Sequence, residues 1–424
     1  MTDQQPTLSA MDARLQVLGT PRFSAALSTS IVGTAFFSYL LKHLIGWPGL
    51  FAILASLFIL AALSLIAQRE MLEFRGFLPI SLAVFIGWSA ISIFFSQYQW
   101  VTLGAITYQI AFAGLGIYVA LARDFIQIVR TVGDVLRAVI AVSLAMEILV
   151  GIEFDTSFPL LGIQGDLAQG GPIQGIMGSR NDLGLVALIA LVTFGTEVLT
   201  RSINRAWGIT SIVAAAVTIV LSQSPVELGI IGILGIASLA LLGIRRVSAE
   251  SRRYWLIGIG AAALTAILIA YAIRDQLLSA IGATGVLNYR LHLWNLLFPY
   301  IQQNSLEGWG WAGTWPSGIP PFGLIDPQVG HASALNAYFD VWFQLGAIGL
   351  FAFLVFAALA IIRAWILATQ KRSRIFVWPA LILLLLLTTS STDSGILIEW
   401  GWLVLVTCSV KVAQHVSWRR PVTE

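Results

Sequence analysis

Three side chains outside the apolar stretches have the types and surroundings that group-transfer chemistry needs. Arg290 lies in the stretch Asn288–Asn304, His331 opens the stretch running to Leu350, and Arg180 closes the glycine-rich run from Gly175. A guanidinium presents a planar fork of donors suited to phosphate oxygens. An imidazole titrates near working pH and can take a hydroxyl proton. At a bilayer surface the two arginines could hold the pyrophosphate of a polyprenyl-linked donor, with His331 as the base. Each arginine equally suits a surface or lipid-headgroup contact.

Other polar residues gather around them. Asn336, Asp340 and Gln344 repeat every four residues and fall on one helical stripe. That stripe reads either as the amphipathic entry to a span or as the polar wall of a cavity capped by His331. Asn181, next to Arg180, belongs with the same group. Gly308-Trp309-Gly310-Trp311 and Trp315 set flat aromatic faces on a flexible backbone, for stacking on sugar C–H faces or for anchoring at the interface. Leu291, Trp294, Phe298 and Ile301 recur at helical spacing, which predicts an interfacial amphipathic helix that Pro299 bends or ends. The four histidines lack metal-ligand spacing, so neither a metal nor a cofactor is expected.

These residues sit in a chain built otherwise of apolar segments. Of 424 residues, 58% are hydrophobic and 11% charged, where a soluble domain has about 25% charged. Mean hydropathy is +0.85. The sequence therefore predicts an all-α polytopic membrane protein of about twelve spans. They run near 24–43, 48–67, 78–96, 101–122, 135–151, 182–199, 206–222, 226–243, 254–273, 336–362, 376–391 and 396–413. Between the ninth and tenth lies a large external loop, 274–335, carrying short interfacial helices; a smaller one covers 152–180. The tails are 1–23 and 414–424, and no cleavable signal peptide is expected, the N-terminus being polar to about Pro21. The lone Cys408 excludes intramolecular disulfides and cysteine-rich metal sites.

Charge placement sets the orientation. With both termini cytoplasmic, 20 of the 24 basic residues fall inside, among them Arg14, Arg69, Arg75, Arg130, Arg137, Arg419 and Arg420. Lys42, Arg180, Arg274 and Arg290 remain outside. Lys42 and Arg274 sit at helix ends and read as snorkelling cations.

Several segments resemble the O-antigen ligase/polymerase superfamily. They are Arg290-Leu291-His292-Leu293-Trp294, Glu307 to Gly310, His331 with Asn336, and Gly346 to Gly349. Gly175 to Asn181 is similar to its glycine-rich segment, and Thr392-Asp393-Ser394 to a late T-E-S element. Ser305 and Gln344 stand where the family usually has proline and glutamate. The resemblance implies a bacterial inner-membrane glycosyltransferase of GT-C-like fold, polymerising undecaprenyl-pyrophosphate-linked repeat units by metal-independent inversion. Its partners would be the lipid-linked donor, a glycan acceptor, membrane lipids and a chain-length regulator, with no nucleic acid. His331, Arg290 and Arg180 would be catalytic; Asn181, Trp294, Trp309, Trp311, Asn336 and Asp340 would bind substrate.

Two other readings remain open. A ligase would move a finished glycan from the same carrier to another acceptor. A lipid or polysaccharide flippase would instead place ionisable groups at mid-membrane and repeat its interrupted helices between halves.

Overall fold

A computed structural model describes residues 17–69, 78–154, 156–248, 250–274, 276, 284–325 and 332–415. His331, Arg14, Arg75, Arg419 and Arg420 lie outside the described residues. Among those residues the chain is helical, apart from turns and one isolated bridge between Phe158 and Ile163.

Thirteen α-helices follow in order among the described residues. They are α1 Pro21–Phe36, α2 Ser38–Ala67, α3 Ile80–Ile91, α4 Gln99–Ala122, α5 Phe125–Ile148, α6 Arg180–Thr200 and α7 Arg205–Ser222. After these come α8 Pro225–Ile244, α9 Arg252–Ala272, α10 Thr284–Gln303, α11 Ala337–Gln370, α12 Val377–Thr389 and α13 Glu399–His415. Seven are long and apolar enough to cross a membrane: α2, α4, α5 with its extension to Glu153, α6, α7, α8 and α11. The protein is a multi-pass membrane protein of all-helical build.

The core is a bundle in which α13 packs on α4, α11 on α3 and α12, and α5 on α1 and α6. Phe85, Phe353, Phe356 and Trp402 interlock at its centre. Trp378 donates through Nε1 to the Thr193 hydroxyl, 3.1 Å, so its polar edge is satisfied inside the bundle.

Helix boundaries depart from hydropathy where capping and charge decide them. The span expected at 135–151 begins at Phe125, because the Asp124 N–H is held by the Gln127 side chain at 3.1 Å. Arg130 and Arg137 thus lie on the helix and not in a loop. Arg137 pairs there with Glu197, a fully buried carboxylate. The span expected at 336–362 runs on to Gln370 and breaks at Gly346, whose φ is +65°. A comparable break at Gly46 divides α2 ahead of Pro48. The helix expected around Asn288–Asn304 forms as α10 and continues through Pro299 to Gln303.

Candidate active site

The break in α11 anchors the Glu307–Thr314 segment. At Gly346 the helical hydrogen-bond ladder stops, and neighbouring carbonyls are left to other donors. Trp309 N–H donates to the Phe343 carbonyl at 3.2 Å and Gly310 N–H to that of Gln344 at 2.8 Å. In return Ala347 N–H donates to the Ser305 carbonyl, 2.9 Å. The Gln344 side chain completes the clamp: its Oε1 accepts from the Ala312 and Gly313 N–H groups at 2.8 and 2.9 Å. The tryptophans expected on a flexible backbone therefore stand on a pinned one.

The polar stripe on α11 is spent on the same task. Asn336 caps the helix, its Oδ1 accepting from Tyr338 and Phe339 N–H, while its Nδ2 donates to the Ser391 carbonyl. Asp340 is fully buried. It accepts from Trp315 Nε1 at 2.6 Å, Ala334 N–H at 3.0 Å, Gln344 Nε2 at 3.3 Å and the Ser394 hydroxyl. A carboxylate holding four donors fixes the loop, the start of α11 and the turn before α13 relative to one another.

Beside this hub lies a cavity of about 380 Å³. The start of α6 contributes Ser179, Asn181 and Asp182, and the turn before α13 contributes Asp393 and Ser394. Ser179 accepts from Asp182 N–H at 3.0 Å and donates its hydroxyl to Asp182 Oδ2 at 2.7 Å, so the helix cap orients the acid. Asn181 accepts from the Ser224 hydroxyl at 2.9 Å. A β-carbon placed on Gly395 would stand 3.2 Å from Asp393 Oδ1 and 3.7 Å from Asp182 Oδ1, so both acids border one small space. Lys42 and Glu399 also line the cavity and pair at 2.6 Å, and Tyr108 donates to the same Glu399 oxygen at 2.9 Å. Lys42 is thus an ion-pair partner rather than a snorkelling cation.

Arg290 is only 6% exposed, and its Nε has no hydrogen-bond partner. Burial lowers the affinity of its guanidinium for the proton, and the charge opposing that is Asp393. Burial likewise pushes the Asp393 carboxyl above its usual range, while the Gly395 N–H at 2.6 Å and Arg290 pull it back. Arg180 is exposed on the first turn of α6, in electrostatic reach of Glu227. A pair of carboxylates over one space can exchange a proton with a sugar hydroxyl, and a buried guanidinium beside them can hold a phosphoryl oxygen.

The tryptophans are placed differently from one another. Trp294 stacks on Phe339 at 4.9 Å and donates to the Ala334 carbonyl at 2.9 Å. Trp309 donates to the Tyr300 carbonyl, 2.9 Å. Trp311 is buried against Phe85 and lines a second cavity. Sequence reasoning does not single out Asp182, Glu399, Lys42 or Tyr108 as site residues, because nothing local to any of them marks it as facing the cavity.

Residues 210–354 match the family described as O-Antigen ligase. The matched stretch carries Arg290, the Glu307–Gly310 segment and the α11 break, and it supports the resemblance to the O-antigen ligase/polymerase superfamily. A role of the O-antigen ligase/polymerase type, as a glycosyltransferase-like enzyme, follows at that level. No curated protein matches the chain.

Proposed function

We propose that this protein polymerises undecaprenyl-pyrophosphate-linked oligosaccharide repeat units into a surface polysaccharide, on the outer face of a bacterial inner membrane. With twelve crossings and cytoplasmic termini, the distribution of basic residues puts the Asp182–Asp393 cavity outside. Nucleotide sugars are absent there, so the donor arrives on lipid.

The reaction is a single inverting displacement without a metal. His331 takes the proton of an acceptor hydroxyl, whose oxygen forms a bond to the anomeric carbon. The bond from that carbon to the pyrophosphate oxygen breaks, and the electron pair leaves on the lipid carrier. Arg290 and Arg180 stabilise the leaving charge. Trp294, Trp309, Trp311, Asn181, Asn336 and Asp340 bind or position the glycan. A chain-length regulator is an expected partner.

The observation that supports this reading is the buried Arg290 guanidinium, its Nε without a partner, in electrostatic reach of Asp393, one of the acids lining the cavity. The test uses purified protein and lipid-linked repeat units, with products resolved by length. His331→Ala should lower transfer by about 10²–10⁴-fold while leaving donor binding in place. Arg290→Lys should also impair transfer, since a point charge cannot reproduce the fork. Near-normal polymer from both variants would overturn the assignment.

The description of the matched family favours a second reading, transfer of a finished glycan to another acceptor. A ladder of products supports polymerisation, and one addition per acceptor supports ligation.

A further inference from the structure

A second cavity, of about 450 Å³, adjoins the first. The two share Gly313, Thr314, Ile398 and Glu399 as a common wall. Its own walls are aromatic: Trp47, Trp100, Tyr108, Trp311, Trp315 and Trp402. Into this aromatic space projects Gln109, 3% exposed, with neither its side-chain oxygen nor its nitrogen hydrogen-bonded.

That unpaired amide is the informative feature. Buried polar groups in folded proteins are almost always satisfied, and an amide offers both a donor and an acceptor. Its neighbours are satisfied: Tyr108 donates to Glu399 at 2.9 Å, and Trp402 Nε1 donates to the Gln109 backbone carbonyl at 3.1 Å. Among the described residues lining this cavity, the side-chain amide is the buried polar group left without a partner. Tyr108 meets Trp47 edge-on at 5.8 Å, just past the break at Gly46 that divides α2.

We infer that the second cavity is a subsite for a sugar ring of the glycan acceptor, with Gln109 reading its hydroxyls and the tryptophans packing on its C–H faces. Sugar hydroxyls donate and accept together, which matches an amide, and ring C–H faces match indole. A phosphate does not fit as well, because the acid on the shared wall, Glu399, already holds the adjacent cation, Lys42. A prenyl tail would suit the aromatic walls and leave Gln109 unpaired. Across the shared wall a hydroxyl of the bound ring approaches the space bordered by Asp182 and Asp393. The inference rests on the glycosyl-transfer reading only for which substrate the ring belongs to.

The experiment titrates lipid-free repeat-unit oligosaccharide, released by mild acid from the cells' own lipid-linked pool, into the full chain in nanodiscs. Saturable binding is expected, weakened about tenfold by Gln109→Leu. Trp100→Ala, at a residue 85% exposed on the cavity rim, should weaken it too and serves if Gln109→Leu does not fold. Absence of binding to the unsubstituted chain, or equal affinity in both variants, overturns the subsite. So does displacement of the oligosaccharide by undecaprenyl phosphate alone. If binding behaves as expected but lipid-linked donor yields no product, the subsite stands and the glycosyl-transfer reading falls; normal transfer with unchanged acceptor affinity in the variants gives the converse.

Discussion

Gly308 and Gly346 meet backbone to backbone. Each has a positive φ, +75° and +65°, and a β-carbon on either would overlap main-chain atoms of the other's segment. The contact joins the loop before the second cavity to the break in α11. Gly346→Ala should therefore destabilise the protein by at least about 2 kcal/mol, combining left-handed strain with the overlap. Thermal unfolding in detergent measures it, and an unchanged midpoint would contradict the packing.

Asp340 holds four donors in a site closed to water. Asp340→Ala orphans Trp315 Nε1 and the Ala334 N–H, each at about 1–3 kcal/mol. The expected outcome is a marked loss of folded protein, visible as reduced monodisperse yield. Asp340→Asn, which keeps the acceptor oxygen, should lose less.

Lys42 and Glu399 are both largely buried, 20% and 10% exposed. Lys42→Met leaves a carboxylate without its cation and should cost about 3–5 kcal/mol. The double variant Lys42→Met/Glu399→Gln should recover much of that loss. A double-mutant cycle on unfolding midpoints tests it, additivity being the contrary result.

Asp393 carries a pH signature of defined sign. Folding raises its carboxyl above the ordinary value near 3.9, so the folded chain holds that proton more tightly than the unfolded one. Its contribution to stability is present at low pH and lost as pH rises through the folded value. Asp393→Asn should consequently match or exceed the parent in stability at pH 8. Transfer should move the other way, if the ionised acid orients Arg290. The acid limb of the parent's activity should lie above the usual carboxylate range, and Asp393→Asn should be slow with a flattened limb.

Orientation can be read with one thiol at a time, because Cys408 is buried and silent. Glu307→Cys, on an exposed residue of the loop, should react with a membrane-impermeant maleimide in intact cells. Arg201→Cys, exposed at the far end of α6, should react only after permeabilisation. The reverse pattern would invert the topology.

What was legible in the sequence was whatever repeats locally. The helix α10 followed from the spacing of Leu291, Trp294, Phe298 and Ile301, although Leu293, Leu297 and Ile301 form its buried face and Leu291 and Phe298 are exposed, and the four-residue spacing of Asn336, Asp340 and Gln344 marked a polar stripe. Its partners did not, because Asp340 is satisfied by Trp315 and Ser394 from separate segments, and spacing on one helix says nothing of what faces it. Lys42 and Glu399 stand 357 positions apart, and nothing near either announces the other. Asp393 entered only through its Thr-Asp-Ser context. The start of α5 escaped hydropathy because the Asp124 cap sets it, and the break inside α11 escaped because a single glycine, Gly346, makes it.

The stitching of the loop to the α11 break bears on how a bulky molecule gets in. Four strands of contact tie Ser305–Gly310 to Phe343–Ile348, so rocking of the long arm below Gly346 drags the loop along and opens no seam there. Traffic to and from the two chambers has to pass by some other doorway.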